Sequence, residues 1–491
     1  MNAMKHNILT FLISSVLLFA SCESFLDEQP RGKTVAETLE HYNGLFHDYA
    51  FSICNYTDWC NPFMRLTPTA VKNFPQTILY SNFDYTSAER AYKYETEIFL
   101  PSENCIAWEL IYQFIYRYNL VIAGVMDAKD GSEAEKKALY AEARMSRAWM
   151  HFILAQMFSK PYSESYADTE LTIPIVTKAS TSVKEYQRAT MRDLYNFITK
   201  EMEEALPDLE DRKDHNMRIY KTTGYAIFGK YLWSIGNYQK ALPILQTAYT
   251  RSKNETFIIQ NYNTLQAKYN YKEIDLYTLY KKECATTNTA MLSYGYTHPE
   301  YLLSKQCTEL SMCLSRASST GCLAHYIDPR LYDMYGEYDL RRNFHPTIDP
   351  NGNPYEYPVG FSRDMRHNYG VELADIYLGL AECEARVGSQ ENAKNILKEF
   401  RSYRVLTGHE DVPASVTTKD DLIKFCVEEQ FREYSVKPQC FYTIRRIWND
   451  PTLQSLKPFT HTLGDETYTM KEENLYLKLP ETILQWNPNW R

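Results

Sequence analysis

Between Thr222 and Tyr249 the chain reads TTGYAIFGKYLWSIGNYQKALPILQTAY, with apolar and small residues recurring every three or four positions. That period puts Tyr225, Phe228 and Gly229 on one face of a helix. Gly236 and Tyr238 mark a turn, and Ala241, Leu245 and Ala248 face back from a second helix. The small residues fall where two helix backbones must approach closely. The same template returns at one fixed offset, at Tyr377, Leu380, Ala381, Gly388, Ala393 and Leu397.

An aromatic, an apolar–small step and a returning small–apolar face make the tetratricopeptide pattern. A single such pair cannot bury its own face, so further helical pairs are expected around these two. Val35–Ile53 carries Val35, Leu39, Tyr42, Leu45, Phe46 and Tyr49 on one stripe and reads as an amphipathic helix. Ile106–Met126 and Glu133–Phe158 read as two long helices joined by the polar turn Lys129-Asp130-Gly131. Thr172–Val176 reads as a short buried strand, and Thr190 to Asp193 resembles a capping box that starts a helix running to Leu206. Asn55–Asn104, Lys253–Leu303 and 318–370 lack a clean period. Asp349-Pro350-Asn351-Gly352-Asn353 has alternating oxygen ligands, but its glycine suits an Asn-Gly turn and no acidic residue closes the loop, so it is read as a turn. The expected fold is mainly α, a scaffold of helical pairs (segments near 106–158, 190–249 and 371–404) with a loop-rich, irregular subdomain of short strands at about 254–370.

Of the 491 residues 44% are apolar, enough for a sizeable core. A formal charge of −9 argues against a nucleic-acid partner, which would favour a basic face. The 41 tyrosines combine flat apolar rings with polar tips, suited to packing and to flat-faced polar ligands. The 11 cysteines include no CxxC pair and no Cys/His cluster at metal spacing. Cys54/Cys60 and Cys307/Cys313 either close small loops or are buried thiols. Met1–Ser21 reads as a signal peptide: Lys5 precedes an apolar run from Ile8 to Ala20, too short for the roughly 20 residues that span a bilayer. Leu18-Phe19-Ala20-Ser21-Cys22 resembles a bacterial lipobox with Phe19 in place of the usual leucine, which makes Cys22 the lipidated N-terminus, 22–34 a tether and 35–491 a single domain.

Cys22-Glu23-Ser24-Phe25-Leu26-Asp27-Glu28-Gln29-Pro30 resembles the mature start of the SusD/RagB nutrient-uptake lipoproteins. Trp108, Tyr112, Ile115 and Asn119, followed by Glu142-Ala143-Arg144 and Arg147-Ala148, are similar to that family's paired helices. Further similarity lies in Asp328-Pro329-Arg330, Ala381-Glu382-Cys383-Glu384-Ala385, Glu428 to Glu433, and the closing Leu479-Pro480-Glu481 and Asn487-Pro488. Phe158 to Tyr162 departs from the family's Phe-Gly-x-Val-Pro turn, and Gln430 and Arg432 depart from its acidic helix.

The chain carries no G-x-S-x-G, HExxH, P-loop or G-x-G-x-x-G motif, and its 11 histidines are scattered. Glu142, Arg144 and Arg147 are read as a structural charge network. No enzyme activity, cofactor or metal is expected. The resemblance implies a surface-exposed outer-membrane lipoprotein that captures a glycan and passes it to a SusC-like TonB-dependent transporter. A peptide ligand, or an adhesive or structural role on the same anchor, remains the alternative. Sugar faces stack on aromatic rings, and rings on helix stripes are committed to the core. The candidate platforms are therefore the aromatics of aperiodic stretches: Trp59, Phe63, Tyr92, Tyr94, Tyr294, Tyr296 and Tyr301.

Overall fold

Paired helices form the frame, and short strands gather at its irregular side. The computed structural model describes residues 36–46, 53–54, 69–71, 90–180, 185–211, 215–255, 257–264, 298–307, 325–327, 329–345, 347, 354, 358, 367–368, 370–435, 437–463 and 465–491. Among them the α-helices are α1 (Leu39–Gly44), α2 (Ile106–Gly124), α3 (Glu133–Phe158), α4 (Met191–Ala205), α5 (Lys221–Ser234), α6 (Tyr238–Lys253), α7 (Pro329–Asp333), α8 (Leu373–Val387), α9 (Gln390–Ser402), α10 (Lys419–Tyr434), α11 (Pro438–Ile447) and α12 (Glu481–Trp486). The strands are β1 (Ile53–Cys54), β2 (Thr69–Val71), β3 (Tyr301–Leu303), β4 (Gln306–Cys307), β5 (His325–Ile327), β6 (His367–Asn368), β7 (Val371–Glu372), β8 (Thr460–Leu463) and β9 (Glu466–Thr469).

Local sequence explains where the helices begin. Ser132 and Glu135 form a reciprocal capping box at α3, as Thr418 and Asp421 do at α10. Thr190 accepts from the Asp193 N–H at 3.1 Å, so α4 starts where its capping signal stands. The repeat template becomes two packed hairpins, α5–α6 and α8–α9, with α6 lying against α8. Gly236 takes φ +76° in the turn between α5 and α6, a conformation that a Cβ disfavours. A Cβ on Gly229 would sit 2.6 Å from Leu245 Cδ2, which is why a small residue stands there. Ala241, Leu245, Ala248, Leu380, Ala381, Ala393 and Leu397 are all fully buried.

The strands form three small sheets, ordered β1-β4-β6, β5-β2-β8-β9 and β3-β7. β2 pairs antiparallel with β5 and parallel with β8, joining stretches far apart in the chain. The register of β1 on β4 sets Cys54 opposite Cys307, a different neighbour from the one its sequence spacing offers. The expected strand at Thr172–Val176 is instead an extended segment: Leu171 before it bridges Thr190, and the Thr172 N–H donates to the Ala189 carbonyl at 2.8 Å. Of the helix expected over Val35–Ile53, residues 36–46 are described and hold the short α1, capped by Thr38, while 47–52 lie outside the described residues. The Asp349–Asn353 turn lies outside the described residues. Buried apolar side chains from Tyr42 to Trp490 belong to one contiguous core.

Buried ion pairs tie the frame together. Glu142 of α3 receives both Nε and Nη2 of Arg218 at 2.7 Å, while Arg144 and Arg147 both hold Glu201 of α4. The charge network read from sequence is therefore structural. In α8, the carboxylate of Glu382 accepts from Trp233 of α5 (3.0 Å), Gln430 of α10 (2.7 Å) and Arg446 of α11 (2.6 Å).

Candidate functional site

A cleft of about 710 Å³ opens along α2, within the range of small-ligand pockets, roughly 300–1,000 Å³. Trp108, Tyr112, Tyr116 and Leu120 stand one helical turn apart and form one row of its lining. Glu109, Gln113 and Arg117 form the adjacent, polar row. Trp108 and Trp490 meet edge-on at 6.0 Å and are nearly buried, so they make the floor. Tyr112, Tyr116 and Tyr186 are half-buried and keep part of their surface open.

The facing wall is the extended segment that continues through Pro174, Val176, Lys178 and Ser180. It is pinned to the helices by side chains. The Tyr112 hydroxyl donates to the Pro174 carbonyl at 3.0 Å, and Asn119 Nδ2 donates to the Val176 carbonyl at 3.0 Å. The Val176 N–H donates to Nε2 of the buried His151 at 3.1 Å. Burial drives the His151 pKa down to about 4, so the ring is neutral at pH 7. Its Nδ1–H then donates to the Arg147 carbonyl at 2.9 Å, which leaves Nε2 free to accept. Burial likewise raises the Tyr112 pKa well above the usual phenol, so its hydroxyl keeps the proton it donates. The C-terminus closes the other end: Trp490 Nε1 donates to the Tyr186 carbonyl at 2.8 Å. Next along the chain from the lining residue Asn487 stands Trp486, 83% exposed.

The candidate platforms chosen from aperiodic sequence divide in two. Trp59, Phe63, Tyr294 and Tyr296 lie outside the described residues, as does the expected lipidation site Cys22. Tyr92, Tyr94 and Tyr301 are described and are buried, at 0%, 7% and 2% exposure, which corrects the expectation that they offer open ring faces. The rings of Tyr92 and Tyr94 both stack on His461 of β8, at 4.3 and 4.4 Å, and Tyr301 stacks on His298 at 4.3 Å. Pairing with a distant strand covers them, and no local pattern announces that.

The cleft aromatics escaped the sequence reading because Trp108 and Tyr112 lie on a helix stripe assigned to the core. The usable signal was the second row: an aromatic series at 108, 112 and 116 flanked by Glu109, Gln113 and Arg117 marks a helix face that is partly open. Among the described residues no group of three or more His, Cys, Asp or Glu side chains is placed to hold a metal ion. No helix among them is long and apolar enough to cross a membrane.

Residues 24–233 match the SusD-like family described as starch-binding and associating with the outer membrane. Solved structures extend the likeness over nearly the whole chain. A SusD-like carbohydrate-binding protein from Bacteroides vulgatus superposes with a TM-score of 0.67 at 14% identity, covering 92% of this chain and 97% of its own. A SusD superfamily protein from Bacteroides thetaiotaomicron gives 0.64 at 17% identity, with 92% and 98% coverage. Surface glycan-binding protein A from Bacteroides uniformis gives 0.64 at 16% identity, with the same coverage. No curated protein sequence matches the chain. The chain thus has the mainly helical fold of the SusD-like structures, and its residues 24–233 match that family's model.

Proposed function

We propose that this chain is a lipid-anchored protein of the outer-membrane surface that captures an oligosaccharide and delivers it to a SusC-like TonB-dependent transporter. The observation that carries the reading is the aromatic cleft on α2: open rings beside hydrogen-bonding side chains in a volume suited to a small ligand. A sugar's hydroxyls exchange water for protein at a net gain of about 1 kcal/mol each at best. Stacking a ring face adds about 50 Å² of apolar burial, near 1 kcal/mol at roughly 25 cal/mol per Å². Two or three such contacts hold a ligand firmly enough to capture and loosely enough to pass on. Binding, not catalysis, is the role, and the anchor is the acylated Cys22.

Calorimetry against a glycan panel tests the reading, with Tyr116→Ala as the decisive variant because its ring lines the cleft. Binding should weaken by about fivefold with the circular dichroism spectrum unchanged. A folded Tyr116→Ala protein that binds like the parent removes the cleft from the proposal. The anchor and delivery are tested separately. Cys22→Ala should leave the membrane fraction, and the parent should co-purify with a TonB-dependent transporter; failure of either drops that element alone.

A further inference from the structure

We infer that the cleft takes an oligosaccharide bearing an anionic group, a carboxylate or a sulfate ester, held with that group at the Arg117–Lys178 end. This rests on the cleft being the saccharide site proposed above. The argument is one of position. From Trp108 to Leu120 the lined face of α2 runs about 18 Å, at roughly 1.5 Å per residue. The facing segment runs in the same direction, since Pro174 is bonded to Tyr112 and Val176 to Asn119. Arg147 also spans Asn119 (2.7 Å) and the Thr177 carbonyl (3.5 Å), which puts residue 177 level with that turn of α2. Lys178 comes next, at the end of the cleft that Arg117 lines.

Glu109 belongs to the opposite end, with Trp108 and Trp490. Eight residues separate it from Arg117, about 12 Å along the helix axis, too far for an ion pair. Lys178 makes no ion pair with any described residue, and its side chain is exposed. The cleft is therefore polarised, with two cations at one end, tyrosine rings along the middle and a carboxylate at the far end. In a chain of net charge −9 an anionic glycan meets overall repulsion, and a local pair of cations offsets it where the ligand seats. Arginine and lysine donors to an ionised oxygen make the stronger class of hydrogen bond.

The test uses the full-length protein in detergent and a matched set of probes: trigalacturonate, its methyl ester, and a sulfated galactotriose. The acid should bind about tenfold tighter than its ester, with the advantage falling as salt rises. A larger gain for the sulfated probe would assign the group as a sulfate ester. Lys178→Gln, at an exposed position, should reduce the preference, and Lys178→Gln with Arg117→Gln should bring acid and ester to equal affinity. Equal binding of acid and ester overturns the inference and leaves the saccharide cleft standing. If Tyr116→Ala binds the acid like the parent, the cleft itself falls. Tighter binding of a short acidic peptide than of any glycan probe, or no binding of an anionic glycan, also overturns it.

Discussion

The phenol of Tyr112 on α2 donates to the carbonyl of Pro174, 62 residues away, and so fixes the width of the aromatic cleft. Tyr112→Phe keeps the ring but releases the wall and leaves a buried carbonyl without its donor, at a cost of about 1 kcal/mol. Thermal stability should drop slightly, and glycan affinity should fall by no more than about fivefold. Unchanged affinity together with unchanged stability would show that the wall is held without this bond.

Trp486, next in the chain to the cleft-lining Asn487, offers a bare indole. Since it is 83% exposed, Trp486→Ala should leave the melting temperature within error. As a stacking platform its loss should weaken glycan binding by about 1 kcal/mol, close to fivefold. Calorimetry that finds the variant equal to the parent would assign this side chain no part in the ligand site.

Glu382 contributes to the acid response of the helical frame. Burial pushes its pKa up, but the fields of Arg446 and Arg386 outweigh that and hold it at about 2. A folded pKa below the ordinary carboxylate value contributes stability above about pH 4.5, lost as pH falls toward 2. Glu382→Gln should therefore destabilise by about 3 kcal/mol at pH 7, with the gap to the parent narrowing between about pH 5 and pH 2. Parallel denaturation curves across that range would refute the assignment.

Close packing between α5 and α6 makes a third class of prediction. Ala241 has no exposed surface and Gln239 is exposed on the same helix. Ala241→Leu should cost about 1–3 kcal/mol through overpacking, and Gln239→Leu less than about 0.5 kcal/mol. Equal shifts in melting temperature would contradict the packing of the hairpin.

Periodicity and composition settled the scaffold from sequence alone. Each turn of α5, α6, α8 and α9 must present the same face to its neighbour, so Gly229, Ala241, Ala381 and Ala393 repeat their message locally. Caps behave likewise, because Thr190 and Asp193 meet within one turn. Ligand-site placement follows a different rule. Tyr92 and Tyr94 look open in the chain but are covered by His461 of β8, whereas Tyr112 looks committed to the core but faces a wall that leaves it half open. Exposure is decided by which distant segment arrives to cover a ring. That is a property of pairings such as β2 with β8 and Tyr112 with Pro174, and only the tertiary structure contains them.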